Sequence, residues 1–145
     1  MTRAVVTRSE SETENEGRRL AEALGPDDVV YLEGDLGAGK TCFARGVASG
    51  LGAAPRDVAS PTFAILNEYA GESGRIVLRH LDLYRLADTP KELEVLGLPD
   101  SVAGAPVIVE WPSRSLEAVL PPTRRIGLAR EADGAAGDRR IVFDR

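Results

Sequence analysis

The stretch Gly-Asp-Leu-Gly-Ala-Gly-Lys-Thr at residues 34–41 decides the fold of this 145-residue chain. It satisfies the pattern G-x-x-x-x-G-K-[ST] in full. Glycines let the backbone adopt positive φ and bring its N–H groups against phosphate oxygens without a Cβ in the way. The β-prone run Val29–Leu32 precedes the stretch, and a helical pattern over Thr41–Leu51 follows it. This context favours a nucleotide phosphate-binding loop (P-loop) over a glycine-rich turn that happens to contain a lysine.

The residue types in this loop predict how a nucleotide is held. Lys40 bridges the β- and γ-phosphates, and the Thr41 hydroxyl ligates Mg²⁺. The helix that begins near Gly39 points the positive end of its dipole at the same oxygens. We therefore predict ATP or ADP with Mg²⁺ as the ligands. The loop residues that contact them are Gly37, Ala38, Gly39, Lys40, Thr41 and Cys42.

The sequence contains one cysteine, Cys42, so no internal disulfide can form, and a reducing compartment fits. Cys42 lies in the first turn of the loop helix, where the pKa of a thiol tends to fall. We interpret it as a small packing residue near the nucleotide and not as a nucleophile.

The composition is that of an ordinary globular protein, with 43% apolar and 28% charged residues. The length predicts a single domain over residues 1–145. A net charge of −5 argues against a broad nucleic-acid or anionic-membrane surface. The first residues lack a signal-peptide core, and no stretch approaches the ~18 apolar residues that a membrane span needs. The expectation is a soluble cytoplasmic monomer.

The remaining pattern predicts an α/β fold, a three-layer P-loop NTPase domain on a mixed central β-sheet. A helix is expected over about Glu12–Leu24, with Ser9 or Ser11 as its N-cap. The apolar run Val107–Val109 is typical of a strand buried on both faces. Two hairpins and a short helix complete the prediction: Thr62–Tyr69 with Arg75–Leu81, Arg124–Ala129 with Arg139–Phe143, and Lys91–Leu96. The strand order is not readable from this pattern.

Hydrolysis also needs a carboxylate on the metal side and a group that orients the attacking water. Asp82 follows the extended run Ile76–Leu81, and Glu110 follows the apolar run Val107–Val109. Open α/β sheets bind ligands at the carboxyl ends of their strands. We therefore predict Glu110 for the metal and Asp82 for the water. The alternative is that either carboxylate only caps a helix or pairs with an arginine.

Three neighbouring features are open to two interpretations. His80 is the only histidine, and a lone histidine beside a strand is more often structural than a catalytic base. Trp111 stacks on a nucleotide base or fills a core edge. Thr62, within Ser-Pro-Thr at residues 60–62, is either a switch residue that senses Mg²⁺ and the γ-phosphate or part of a strand-entry turn.

Four motifs, in this order and at suitable spacing, resemble those of the bacterial TsaE family. They are G-D-L-G-A-G-K-T (34–41), S-P-T-F (60–63), H-L-D-L-Y-R-L (80–86) and V-E-W-P (109–112). The resemblance runs from about Ser9 to Pro122. It implies an ATPase with a low, partner-dependent rate that supports threonylcarbamoyladenosine formation at position 37 of tRNAs that read ANN codons. It also implies TsaB and TsaD as partners, whose complex the ATPase resets between turnovers, so that tRNA is reached only indirectly.

The resemblance further implies residue roles. The P-loop threonine and the glutamate of E-W-P serve Mg²⁺, the aspartate of H-x-D-L-Y-R is needed for hydrolysis, and the threonine of S-P-T lies in a switch-like loop. A threonine ahead of the first helix's glycine contacts the nucleotide. These positions are Thr41, Glu110, Asp82, Thr62 and Thr13, respectively. The catalytic candidates are thus Asp82, Lys40 and Thr62, and Thr13 and Trp111 join the loop residues as nucleotide-binding candidates.

Two departures from the family pattern stand out. Cys42 occupies a position where many members carry a second threonine, which weakens a phosphate contact but leaves the backbone donors intact. Residues 131–138 form a family-variable hairpin to which we assign no function.

Three other functions are weighed against the ATPase. A small-molecule kinase uses the same loop but needs a lid and a second substrate pocket, for which 145 residues leave little room. A GTPase switch carries an N-K-x-D segment, which this sequence lacks. A non-catalytic assembly module that binds ATP as a structural ligand stays open.

Overall fold

A seven-stranded mixed sheet forms the centre of the computed structural model, which describes residues 2–54, 66–84, 94, 97–98 and 100–144. The strands are β1 (Arg3–Thr7), β2 (Val29–Glu33), β3 (Leu66–Ala70), β4 (Ile76–Asp82), β5 (Val107–Glu110), β6 (Arg124–Arg130) and β7 (Arg139–Asp144). Their order is β1-β7-β6-β2-β5-β4-β3. β2 pairs in parallel with β5 and β6, and β4 with β5. The pairs β1/β7, β6/β7 and β3/β4 are antiparallel.

Helices cover both faces of the sheet, which confirms the three-layer α/β prediction. They are α1 (Glu10–Ala21), α2 (Lys40–Gly50) and α3 (Arg114–Val119), with a 3₁₀ turn at Asp100–Val102. On one face, α1 and α2 pack on a core that includes Val30, Phe43 and Ile108. On the other face, Leu116 of α3 packs with Tyr31 and its neighbours. Strand β2 therefore lies between two apolar layers and delivers the P-loop from the middle of the sheet.

Helices α1 and α2 approach each other through glycines. A Cβ on Gly46 would collide with the carbonyl oxygen of Glu14, and one on Gly17 with the carbonyl oxygen of Phe43. Only glycine permits such backbone-to-backbone contact. The contact fixes α1, which carries Thr13, against α2, which begins at the P-loop.

The sequence located most of these elements. Ser9 is the N-cap of α1, its hydroxyl accepting from the N–H of Glu12, so α1 begins and ends earlier than the expected Glu12–Leu24. The terminal hairpin and the strands β2 and β5 are confirmed. The β3–β4 hairpin is confirmed from residue 66 onward, while residues 62–65 and most of the expected helix Lys91–Leu96 lie outside the described residues. Helix α3 was not predicted.

Among the described residues, the structure contains no helix long and apolar enough to cross a membrane.

Candidate functional site: a P-loop nucleotide pocket

The loop between β2 and α2 has the backbone geometry that its glycines predict. Gly37 and Gly39 adopt φ of +80° and +100°, where side chains are strained. A Cβ at Gly34 would collide with the carbonyl oxygen of Leu128, so the loop can enter beside β6 only with glycine there. Gly39 caps α2 without a side-chain hydrogen bond. The first N–H groups of α2 therefore remain for an anion to satisfy.

A cavity of about 430 Å³ opens over this loop. Its lining combines the P-loop, the start of α1 and the terminal hairpin. The lining residues are Glu10, Thr13, Gly37, Gly39, Lys40, Thr41, Cys42, Arg45, Arg130, Gly137 and Arg139. The structure thus brings Thr13 together with five of the six predicted loop residues; the sixth, Ala38, is buried in the core.

Thr13 is held by a second threonine. Its hydroxyl lies 2.6 Å from that of Thr7, and both residues are only 2% exposed. Thr7 ends β1 and Thr13 belongs to the second turn of α1, so the bond ties the strand to the helix. Sequence reasoning identified Thr13 but not the residue that orients it.

Lys40 is buried, and its ammonium is already bound. Its Nζ donates to the carbonyl oxygen of Gly34 at 2.6 Å and lies 3.5 Å from the centre of the Trp111 ring. Burial lowers the pKa of Lys40, and the nearby carboxylates of Glu110, Asp82 and Asp35 partly offset this. Phosphate oxygens entering the cavity would supply the negative charge that a buried ammonium needs.

The two predicted carboxylates lie side by side. Asp82 and Glu110 are paired in the parallel register of β4 and β5, and both raise the pKa of Lys40. Asp82 accepts the backbone N–H of Tyr84 at 3.0 Å, so it caps its own turn. Among the residues that the structure describes, the hydrogen-bond partner of Glu110 is His80, at 2.5 Å. Neither carboxylate lines the cavity over the P-loop, and both act on it through Lys40.

These donors suit Mg²⁺ better than a transition metal. Among the described residues, no group of three or more His, Cys, Asp or Glu side chains could hold a metal ion. Mg²⁺ does not need one, because proteins bind it through one or two carboxylates plus the phosphates of the nucleotide. The Thr41 hydroxyl at the start of α2 and the carboxylate of Glu110, both beside Lys40, are hard oxygen donors of that kind.

Trp111 contacts the P-loop lysine and the Tyr84 ring, whose centre is 4.9 Å away. It is the only described non-glycine residue with positive φ, at 58°. It does not line the cavity over the loop. In this structure Trp111 therefore lies on the carboxylate side of Lys40, and its assignment to a nucleotide base stays a prediction. Thr62 lies outside the described residues.

The terminal hairpin borders the cavity. Gly137 lies within residues 131–138, to which we assigned no function, and it lines the cavity together with the flanking Arg130 and Arg139. They reach it because β6 is the parallel neighbour of β2, so the hairpin stands beside the loop. The arginines at the base of the hairpin were visible in the sequence, but the strand order that makes them relevant was not.

The environment of Cys42 contradicts the expectation for the pKa of its thiol. Its thiol donates to the carbonyl oxygen of Glu10 at 3.0 Å and the residue is buried. Burial raises the pKa of the thiol, and the carboxylates of Glu14 and Glu10 raise it further. The expected lowering of the thiol pKa by the helix terminus is therefore wrong. The interpretation of Cys42 as a packing residue agrees with its burial.

We expect Cys42 to be alkylated slowly by iodoacetamide at neutral pH. The thiolate is the reacting form, and a raised pKa leaves less of it at neutral pH than in a free cysteine. Mass spectrometry of the intact protein gives the rate, with the urea-unfolded chain as the control. Because the sequence has one cysteine, a single adduct is counted. Equal rates in the folded and unfolded protein would show that the thiol is neither buried nor raised in pKa.

Comparison with known proteins places this site in a family. The family model described as "Threonylcarbamoyl adenosine biosynthesis protein TsaE" matches residues 7–141. A Bacillus subtilis relative, named tRNA threonylcarbamoyladenosine biosynthesis protein TsaE, is 43% identical over 134 residues, which cover 91% of this chain and 78% of the relative. A Streptomyces coelicolor relative of the same name is 37% identical, covering 87% and 84%. The crystal structure of Bacillus subtilis YdiB matches with a TM-score of 0.69 and 31% identity, covering 99% of this chain and 84% of that one.

Proposed function

The chain belongs to the TsaE family, and on that premise we propose that it is a Mg²⁺-dependent ATPase required for threonylcarbamoyladenosine modification of tRNA. The modified position is 37 in tRNAs that read ANN codons. ATP hydrolysis acts on the TsaB–TsaD complex and supports its repeated turnover, so tRNA is reached through that complex. We also propose a cytoplasmic protein that is monomeric alone and hydrolyses ATP slowly without its partners.

The observation that carries this proposal is the cavity over the P-loop, with a buried lysine at its floor and two carboxylates behind that lysine. In it, Lys40 leaves the carbonyl oxygen of Gly34 and binds the β- and γ-phosphates. The N–H groups from Gly39 onward bind the same phosphates. Arg130 and Arg139 line the same cavity beside Gly37 and Gly39, where they add positive charge to a site for an anionic ligand.

Thr41 and Glu110 are the residues that would hold Mg²⁺. When bound, the ion neutralises the charge that develops on the phosphate oxygens. Asp82, beside Glu110 in the sheet, orients the attacking water. We propose Thr62 as a switch residue only because of its Ser-Pro-Thr motif at residues 60–62.

The decisive experiment is threonylcarbamoyladenosine formation in a reconstituted mixture, measured by mass spectrometry of the tRNA. The mixture holds the carbamoyl-adenylate synthase, TsaB, TsaD and ATP, with wild-type chain, Asp82→Asn or no chain. We expect product beyond one equivalent per TsaD only with the wild type. Asp27→Asn is the matched control, because Asp27 is exposed and lies before β2, at the opposite end of that strand from the P-loop.

The outcomes separate the hypotheses. Multiple turnovers with Asp82→Asn would mean that hydrolysis is not the function, which leaves the non-catalytic assembly module. Equal product with and without the chain would refute the role in tRNA modification. It would not contradict nucleotide binding at the P-loop. A small-molecule kinase screen would then follow.

A further inference from the structure

We infer that His80 is a positioning residue that orients the Glu110 carboxylate toward the nucleotide. This inference rests on the proposed function, because it concerns the residue to which that function assigns Mg²⁺. It assigns a role to the only histidine of the sequence, for which the sequence left a structural role and a catalytic base both open.

The contact between the two side chains is short and buried. His80 Nε2 and Glu110 Oε2 are 2.5 Å apart, and the residues are 2% and 5% exposed. Since an ionised carboxylate only accepts, the imidazole N–H is the donor. A hydrogen bond to a charged group at this depth is among the stronger ones in a protein.

The sheet register explains why these residues meet. His80 pairs with Ile108, and Asp82 with Glu110, between the parallel strands β4 and β5. Side chains two residues apart point to the same face of a strand, so all four share one face. Ile108 packs in the core with α1 and α2. The shared face is therefore the face of the P-loop helix, and Glu110 at the strand end is near enough to raise the pKa of Lys40.

The imidazole is itself fixed. The ring of Tyr69, on the neighbouring strand β3, stacks on it with centroids 6.4 Å apart and an interplanar angle of 29°. Tyr69 is buried, so the ring has little freedom to rotate. A fixed donor holds Oε2 and so sets the direction of Oε1.

A structural bond and a positioning bond differ in what their loss changes. A buried carboxylate without a donor turns toward another partner, and the ammonium of Lys40 is close enough to Glu110 to feel its charge. If positioning is the role, losing the donor weakens the metal-dependent part of nucleotide affinity. Removal of such an orienting partner typically costs about 10–100-fold in metal affinity.

The test is calorimetric titration with the β,γ-imido analogue of ATP, in excess Mg²⁺ and again in EDTA. The variants are His80→Leu, which removes the donor but fills the space, and His80→Gln, which keeps an N–H donor. In Mg²⁺ we expect His80→Leu to weaken binding about tenfold and His80→Gln to restore most of it. In EDTA we expect all three proteins to bind alike. If His80→Leu does not fold, His80→Asn replaces it, since its shorter amide does not reach Glu110.

Each result has one meaning. Equal weakening in Mg²⁺ and EDTA, or no rescue by His80→Gln, would overturn the positioning role and leave the proposed function standing. A wild-type affinity that is the same in Mg²⁺ and EDTA would refute the metal assignment of Glu110 and the positioning role with it. No binding of the analogue by the wild type under either condition would refute the proposed function itself.

Discussion

Replacing Lys40 with alanine is expected to weaken ADP binding about a hundredfold or more. Lys40 is the only lysine or arginine in the P-loop, and at 5% exposure its ammonium is desolvated, so its bonds to phosphate oxygens face little competition from water. Truncating one partner of a buried charged pair costs roughly 2–5 kcal/mol. Each ~1.4 kcal/mol is a factor of ten in affinity. Calorimetric titration of ADP measures the loss.

The same variant should still fold. Burial lowers the pKa of Lys40, which means that the charged form is disfavoured in the free protein. Removing it removes that cost, which offsets part of the loss of the Gly34 hydrogen bond and the Trp111 contact, so thermal unfolding should still show a cooperatively folded protein. Arg75→Ala, an exposed cation in the β3–β4 turn, is the matched control for nonspecific charge effects. Unchanged ADP affinity in folded Lys40→Ala would mean that the cavity over the P-loop is not a phosphate site.

Replacing Gly46 with alanine is expected to lower the free energy of unfolding by about 3 kcal/mol. The added Cβ would collide with the carbonyl oxygen of Glu14, which belongs to the backbone of α1 and cannot rotate away. The helices must separate, and the buried residues Phe43 and Val47 beside Gly46 lose contacts. Urea unfolding followed by circular dichroism gives the change, and Tm should fall by roughly 10 °C.

Gly127 provides the control for this substitution. It lies in β6, and a Cβ there would meet no atom within 4 Å. Gly127→Ala should therefore change stability by no more than about 0.5 kcal/mol. If Gly46→Ala is equally harmless, the close approach of α1 and α2 in this structure is wrong. If Gly46→Ala lowers stability and also weakens ADP binding, the glycine contact is part of how Thr13 is placed.

The sequence was sufficient to predict those elements whose signal lies in one continuous stretch of residues. The strand, the P-loop and the helix after it follow from one continuous stretch, Val29 to Leu51, because this spacing of glycines and a lysine between a strand and a helix is typical of a phosphate-binding loop. Asp82 and Glu110 were predicted for a similar reason, since each ends an extended run. That they are neighbours required the β4–β5 register, which the sequence does not state.

The sequence was insufficient to predict features whose signal is very short or depends on residues far apart in the chain. Helix α3 has six residues between Ser113, its N-cap, and the Pro121-Pro122 pair, too few for a period to emerge. The cavity-lining Arg130 and Arg139 depend on β6 lying beside β2. Burial and the carboxylates of Glu14 and Glu10 raise the pKa of Cys42, and both depend on α1 packing beside α2.

The sheet joins its first strand to its last. Arg3 of β1 lies opposite Phe143 of β7, and in the described sheet β7 is the only partner of β1. Pairing across such a sequence distance makes folding slow compared with local contacts. During synthesis on the ribosome, β1 emerges first and has no strand to join until β7 follows. The β1–β7 edge of the sheet, from which the chain continues into α1 and Thr13, therefore forms only after β7 has been synthesised. A nascent chain that contains the whole P-loop but not yet β7 still lacks a complete nucleotide pocket.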